Sequence, residues 1–312
     1  MKTPLVLRTV IGKYDHVLPL KDRSISSDRL RLEFVEVDPL NEAFRRMVRN
    51  FEFDVCEMAI TTHALAHAFD RKLTALPIIL HRGFHQATLV CGKDSKLKGP
   101  EELQGKRIAV RAYSQTTGVW VRGILSSVYG IDLDKVTWVT LEDAHVPEYV
   151  DPPNVERAPA GANLKNLLAT GNVEAVIGFR NADPATVRPV IPDPDVAAAE
   201  WFRKTGIYPG NHAVSVKDEL LVEHPWLADE LMSFFAEAKA RSYALKRAKP
   251  AAPVADTANA RLMALVGEDR FPYGMAANRA SIEMLLRFAT EQKLIPRAYG
   301  IEELFDAQSI AS

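Results

Sequence analysis

Several side chains able to exchange protons or to bind an anion follow directly on apolar, strand-like segments of this chain. Tyr14, Asp15 and His16 come after the segment 5–11 and a glycine. The carboxyl ends of strands line the ligand crevice of an open α/β sheet, and an imidazole exchanges protons near neutral pH. His16 is therefore a candidate general acid or base, with Tyr14 and Asp15 as ligand contacts. The alternative is that Asp15 caps the next helix and that His16 lies on the surface.

A carboxylate and a second histidine extend this set. Glu57 lies inside the apolar segment 54–60, where a charged group must find a partner or stay protonated. It could accept a hydrogen bond from a phenol or orient a histidine, and a structural ion pair is the alternative. His212, preceded by Asn211, stands just before the predicted strand 213–216. His212 is the second acid–base candidate. The alternative is that it has only a structural role where the chain crosses between the lobes.

Arginines and a helix start are the candidates for holding an anion. Arg82 and His85 fall on a turn between two predicted strands, and Arg180 follows another strand. Arginine binds carboxylates with two parallel hydrogen bonds, although an exposed turn arginine is the alternative. The remaining candidates stand at the start of the helix predicted over 114–129, where free backbone N–H groups attract anions. The alternative is that their hydroxyls only cap the helix. These residues are Ser114, Thr116 and Thr117.

The elements that must position these residues alternate between strand and helix, which is typical of mostly parallel sheets flanked by helices. A length of 312 residues is typical of two domains. We predict one lobe from residues 1–91 and 214–312 and a second lobe from residues 92–213. Two chain crossings would then form a hinge beside a ligand cleft.

Composition narrows the class of partner. The 39 Lys and Arg nearly balance the 40 Asp and Glu, which argues against nucleic-acid binding. No run approaches the roughly 18 apolar residues of a membrane span. The start of the chain lacks the features of a secretory signal, so we expect a cytoplasmic protein. The two cysteines, Cys56 and Cys91, lie in apolar runs and fit buried free thiols. The C-terminal helices could pair subunits in a homo-oligomer.

The chain resembles the 4,5-dihydroxyphthalate decarboxylase family, whose members are related to periplasmic solute-binding proteins. The matching segments are GPEELQGKRIAVRAYSQTTGVWVRGIL at 99–125, YDHVLPL at 14–20, FDVCEMA at 53–59, YGI at 129–131, TGIYPGNHAV at 205–214, HPWLADELMSFFAEAK at 224–239 and FPYGMAANR at 271–279. The resemblance implies a two-lobed α/β fold of the type II periplasmic-binding-protein kind. The chain departs from the family where it reads Phe84-His85-Gln86 in place of Phe-Arg-His, and Pro209-Gly210-Asn211-His212 in place of Pro-Ile-Met-His.

The resemblance also implies a cytoplasmic lyase that releases CO2 from a hydroxylated aromatic carboxylate. His16 or His212 would deliver a proton, and Glu57 would tune a ring hydroxyl. A solute-binding protein or sensor for a small aromatic carboxylate, and a related enzyme with another carboxylated substrate, are the alternatives. We expect no cofactor, because His63 and His67 lack the glutamate of a zinc-protease helix and the chain has no Gly-rich phosphate loop. A catechol-like substrate could still bring a metal to His and Glu side chains.

Overall fold

The computed structural model describes residues 3–179, 183–248 and 258–306. Of these residues, those within 1–82, 212–280 and 299–312 form unit 1, and those within 83–211 and 281–298 form unit 2. Each unit has its own sheet with helices around it. The predicted two-lobed α/β architecture is therefore confirmed. The hinge and the ligand cleft stay predictions.

The strands and helices follow the predicted alternation. The strands are β1 (Leu5–Val10), β2 (Leu30–Phe34), β3 (Val55–Ala59), β4 (Leu73–Arg82), β5 (Leu89–Gly92), β6 (Arg107–Val110), β7 (Thr137–Thr140), β8 (Val155–Arg157), β9 (Ala175–Ile177), β10 (Val187–Pro189) and β11 (Gly210–Lys217). The helices are α1 (Leu18–Lys21), α2 (Asn41–Asn50), α3 (Ile60–Ala68), α4 (Thr116–Tyr129), α5 (Leu164–Ala169), α6 (Pro194–Thr205), α7 (Asp218–Glu223), α8 (Leu227–Arg247), α9 (Ala258–Val266), α10 (Arg279–Glu291) and α11 (Ile301–Leu304).

The sheet of unit 1 has the order β2-β1-β3-β11-β4. β1 runs parallel to both β2 and β3, whereas β11 returns antiparallel to β3. Because β3 has neighbours on both edges, every one of its residues is buried, which explains its unbroken apolar run around one glutamate. The apolar face of α8, with Leu231 and Phe235, packs on sheet residues such as Leu7 and Val214.

The sheet of unit 2 has the order β10-β5-β9-β6-β7-β8. β6 is parallel to β7 and β9, and β5 is antiparallel to β9 and β10. The part of α10 that belongs to unit 2 packs closely on α4, because a Cβ on Gly123 would lie 2.1 Å from the Phe288 ring. Arg122, fully buried on α4, donates its Nε–H to Gln292 Oε1 at 2.7 Å.

Several details differ from the prediction. Residues 83–91 belong to unit 2, because β5 pairs with β9 and β10, and residues 281–298 join that unit too. By residue type, Thr61 or Thr62 is expected to cap the following helix, but α3 begins at Ile60 and both threonines lie inside it. Four prolines within residues 147–161 predict a long irregular loop, but this segment contains the edge strand β8. The helix α6 was not predicted.

Candidate active site

A buried carboxylate with three hydrogen-bond donors stands at the centre of the candidate site in unit 1. Glu57 on β3 accepts hydrogen bonds from the backbone N–H of Gly12 at 2.8 Å, from the Tyr14 hydroxyl at 2.7 Å and from His212 Nδ1 at 2.6 Å. The sheet explains this meeting. β1 ends beside β3, which brings Gly12 and Tyr14 to Glu57, and the antiparallel register pairs His212 with Ala59. Three of the predicted residues are thereby brought together.

The charge of Glu57 follows from these contacts. Complete burial pushes the pKa of Glu57 up, but the hydrogen bond and charge of His212, then Tyr14 and Gly12, leave that pKa below its usual value. Glu57 is therefore ionised at neutral pH and accepts the Nδ1–H of His212. This fixes the tautomer, so that Nε2 is the ring nitrogen of His212 that can exchange a proton with a ligand.

The phenol of Tyr14 is held in place by the glycine two residues before it. A Cβ on Gly12 would lie 2.7 to 2.9 Å from the outer atoms of the Tyr14 ring and hydroxyl. Only glycine lets the ring fold back over the turn so that its hydroxyl reaches Glu57. The hydroxyl hydrogen is committed to Glu57, so the Tyr14 oxygen can accept a further hydrogen bond from a ligand.

Aromatic rings surround these groups. The His16 ring lies between the rings of Tyr14 and Phe271, with centroids 5.4 and 4.4 Å away. Burial lowers the pKa of His16 to about 4, so its imidazole is neutral at pH 7. His81, at the end of β4, has its ring centroid 5.1 Å from that of His212. His81 and Phe271 were missed by the sequence analysis, although the position of His81 beside Arg82 at a strand end was a usable signal.

Glu57 and its donors Gly12, Tyr14 and His212 form the Glu57 cluster. The predicted residues Asp15 and Arg82 of unit 1 lie outside it. Asp15 begins a one-turn 3-10 helix and is mostly exposed, with its carboxylate 2.8 Å from Lys246 Nζ. Arg82 is the last residue of β4 and is buried.

Unit 2 contains the remaining predicted residues, and three of them are hydrogen-bonded in series. His85 Nε2 lies 3.0 Å from Asn211 Oδ1, and the Asn211 amide donates to Thr117 Oγ1 at 3.5 Å. The Trp120 ring stacks on His85 with centroids 6.4 Å apart, and its Nε1–H donates to the carbonyl of Gly210 at 3.0 Å. These contacts order the side chains at the start of α4.

The start of α4 offers hydrogen-bond donors. Ser114, Thr116 and Thr117 are buried there, and Gln115 at the N-cap position makes no capping side-chain bond. Gln86 is also buried, and its Nε2 has no hydrogen-bond partner among the described residues. Donors of this kind suit an anion. Arg180 lies outside the described residues.

Within residues 3–179, 183–248 and 258–306, no three His, Cys, Asp or Glu side chains come together as a metal site would require. The expectation of no cofactor stays a prediction.

Relatives with assigned names cover nearly the whole chain, although no model of a known protein family matches it. In an alignment 332 positions long it is 30% identical to a 4,5-dihydroxyphthalate decarboxylase from Comamonas testosteroni, covering 99% of this chain and 98% of that protein. A 4,5-dihydroxyphthalate decarboxylase from Pseudomonas putida is 31% identical over 213 residues, which are 64% of this chain and 82% of the relative. The chain belongs to the 4,5-dihydroxyphthalate decarboxylase family.

This member of the 4,5-dihydroxyphthalate decarboxylase family has the fold of periplasmic binding proteins. The aliphatic sulphonate binding protein SsuA from Escherichia coli matches with a TM-score of 0.56 at 12% identity, covering 98% of this chain and 92% of SsuA. The desulfurization enzyme DSZB matches with a TM-score of 0.51 at 15% identity, covering 98% of both chains. At these identities the likeness shows the fold alone, and it confirms the predicted fold class. Among the described residues, no helix is both long and apolar enough to cross a membrane.

Proposed function

We propose that this protein is a carboxy-lyase that releases CO2 from a hydroxylated aromatic carboxylate of the 4,5-dihydroxyphthalate type. The observation that carries the proposal is the hydrogen-bonded group Tyr14–Glu57–His212. It combines a histidine oriented by a buried carboxylate with a phenol held by the same carboxylate. Loss of CO2 from a hydroxylated ring needs both a proton donor and a group that polarises a ring hydroxyl. Membership of the decarboxylase family supports the same reaction.

The reaction replaces a ring carboxylate by hydrogen. A proton from His212 Nε2 adds to the ring carbon that bears the carboxylate. The bond between that carbon and the carboxylate then breaks, and its electron pair restores the aromatic ring as CO2 leaves. One proton is consumed for each CO2 released, and His212 regains it from solvent. Glu57 keeps Nδ1–H bonded throughout and offsets the positive charge of the imidazolium with its own negative charge.

Tyr14 supplies the second requirement. Its oxygen accepts a hydrogen bond from a ring hydroxyl, while its own hydrogen is held by Glu57. Because Tyr14 donates to the negative carboxylate of Glu57, its oxygen is a stronger acceptor and polarises the O–H bond of the ring hydroxyl. This raises the electron density at the para carbon, and in 4,5-dihydroxyphthalate each carboxylate is para to one hydroxyl.

The proposal assigns the proton transfer to His212 and not to His16. A group with a pKa of about 4 is almost entirely unprotonated at pH 7 and is a poor proton donor there. His16 acts as a neutral ring in the wall of the site. Arg82, His85, Ser114, Thr116, Thr117 and Asn211 stay the candidates for carboxylate binding, and so does Arg180.

The test compares CO2 release from 4,5-dihydroxyphthalate by the wild-type protein and by His212→Asn and Glu57→Gln. We expect kcat to fall by about 100-fold to 10,000-fold in His212→Asn, the usual contribution of a positioned acid, with a fall of similar order in Glu57→Gln. In D2O the product should carry one deuterium at the carbon that lost CO2. His224→Asn and Glu223→Gln are matched controls. These two residues form another histidine–carboxylate pair of unit 1, in which His224 Nε2 lies 3.7 Å from Glu223 Oε1.

The solute-binding alternative gives a different result. Wild-type protein that binds the dicarboxylate without releasing CO2 would refute the proposed reaction and leave a binding protein or sensor. Release of CO2 only from another aromatic carboxylate would leave a related enzyme. The cytoplasmic location stays a prediction, which fractionation of the native cells would check.

A further inference from the structure

A loop from Asp269 to Asn278 borders the Glu57 cluster and is held at several points. Lys239 Nζ on α8 donates to Asp269 Oδ2 at 2.7 Å and to the carbonyl of Phe271 at 2.8 Å. The Asn278 amide donates to the carbonyls of Pro272 at 2.9 Å and of Gly274 at 2.7 Å. The loop is therefore anchored from α8 at one end and by its own asparagine at the other.

This anchoring places two aromatic rings. Phe271 stacks on His16, which in turn stacks on Tyr14, so the loop continues the row of rings that starts beside Glu57. Tyr273 follows two residues later, with Lys239 Nζ 4.3 Å from its ring centroid. A cation held over the ring face fixes the orientation of the ring. The proposed reaction assigns no role to Tyr273.

The hydroxyl of Tyr273 is buried and has no hydrogen-bond partner among the described residues, and the same is true of His16 Nε2. Leaving a buried polar group unsatisfied is unfavourable, and such groups are uncommon in folded proteins. Two of them in one row of stacked and sequential aromatic residues indicate that a ligand oxygen completes their hydrogen bonding.

The protonation of Tyr273 decides which role it can take. Burial, together with the negative charges around it, Glu57 among them, raises the pKa of Tyr273. The side chain is therefore a neutral phenol whose hydrogen is not committed to any described residue. Tyr14 differs, because its hydrogen is donated to Glu57 and its oxygen can therefore act toward a ligand only as an acceptor.

Two adjacent ring hydroxyls match this pair of phenols. In such a diol one hydroxyl points at the oxygen of the other, so the diol offers one outward hydrogen and one outward lone pair. We propose that Tyr14 accepts the outward hydrogen and that Tyr273 donates to the outward lone pair, which makes Tyr273 the residue that selects vicinal dihydroxy substrates. This inference rests on the proposed function, and it deepens it by assigning the hydroxyl-bearing edge of the substrate to unit 1.

The test measures the dissociation constants of 4,5-dihydroxyphthalate and 4-hydroxyphthalate by titration calorimetry, for His212→Asn, in which the proposed reaction is slow, and for the double variant His212→Asn/Tyr273→Phe. We expect the preference of His212→Asn for the dihydroxy compound to fall by about tenfold in the double variant, the usual value of one hydrogen bond to a ligand. The affinity for the monohydroxy compound should change less than threefold. Tyr299→Phe is the matched control, because it removes a phenol of unit 1 whose ring packs on His67.

Thermal unfolding without ligand separates recognition from a structural role. Removing an unpartnered hydroxyl should leave the Tm of Tyr273→Phe equal to that of the wild type or higher. An unchanged preference, an equal loss for both ligands, or a variant that is less stable or fails to fold would each overturn the inference. If the wild type binds both ligands without CO2 release while Tyr273→Phe loses the preference, the proposed reaction fails and the assignment of Tyr273 stands.

Discussion

The imidazoles of unit 1 acquire different chemistry from their immediate surroundings. His212 is partly exposed, at 18% of its side chain, and bonds to an ionised carboxylate. His16 is buried between two rings, and burial outweighs the charge of Glu57 in lowering its pKa. His63 is also buried. Its Nε2–H donates to the carbonyl of Leu304 at 3.0 Å, its Nδ1 lies 3.2 Å from the Ser215 hydroxyl, and burial lowers its pKa to about 4. Residue type alone would treat the three as equivalent.

These buried histidines predict how stability depends on pH. The folded-state pKa values of His16 and His63 are about 4, against 6.5 for an ordinary histidine. Between these pH values the unfolded chain binds protons that the folded protein does not, so stability falls as the pH is lowered. From pH 7 to pH 5 we expect a loss of about 2 kcal/mol for each histidine, measured by urea unfolding.

The variant His16→Phe checks the contribution of one residue. Phenylalanine can occupy the stack between Tyr14 and Phe271 and does not titrate. Its unfolding free energy should therefore change less between pH 7 and pH 5 than that of the wild type. His224→Asn, which alters a partly exposed histidine, should keep the wild-type dependence. Equal pH dependence in all three proteins would contradict the burial argument.

At the scale of elements, the site depends on three strands and one tight turn. β3 carries Glu57, β11 supplies His212 on one side of β3, and β1 ends on the other side of β3, where the chain turns. The turn after β1 supplies two donors, because the missing side chain of Gly12 lets the Tyr14 ring fold back. Sheet pairing or the turn holds each member of the arrangement.

Substituting the glycine tests this turn. Gly12→Ala would place a Cβ within 2.9 Å of the Tyr14 ring, so we expect the ring to move and its hydroxyl to leave Glu57. kcat should fall about as much as in Tyr14→Phe, and the double variant should be little worse than either single variant, because both remove the same contact. Gly92→Ala is the control, since nothing lies within 4 Å of a Cβ there. Additive losses in the double variant would argue against the coupling.

For the whole molecule, the notable feature is that neither unit is a continuous piece of chain. Unit 2 takes residues 281–298 from the C-terminal region in addition to those within 83–211. That segment brings Phe288 against Gly123, and Gln292 to the buried guanidinium of Arg122. Without it, a buried cation loses its Gln292 oxygen and an apolar face of α4 becomes exposed.

Fragments of unit 2 check this dependence. Residues 83–211 expressed alone should fail to unfold cooperatively, because α4 would expose the apolar surface that Phe288 covers and the buried guanidinium of Arg122 would lose a hydrogen-bond acceptor. The same fragment joined through a flexible linker to residues 281–298 should give a cooperative urea transition. The variant Gln292→Leu in the joined fragment should lower its stability by about 1–3 kcal/mol, the cost of an unsatisfied buried group. Cooperative folding of residues 83–211 alone would contradict this view.

The sequence by itself determined the fold class, the family and several of the local elements. Strand and helix patterns depend on neighbouring residues, so the segments of β1, β3 and α4 could be located from the sequence. The need of Glu57 for a partner also followed, because a charge inside an apolar run must be compensated. The choice between a phenol and a histidine was left open, and the structure shows both.

Only the tertiary structure decided which residues meet. His212 lies 155 positions from Glu57, and their contact results from the antiparallel register of β11 on β3, which no local pattern encodes. The burial that keeps His16 neutral includes its stacking on Phe271, more than two hundred residues later in the chain. Residues 281–298 join unit 2 because Phe288 and Gln292 pack on α4. These features depend on contacts between distant segments, and such contacts form only when the whole chain folds.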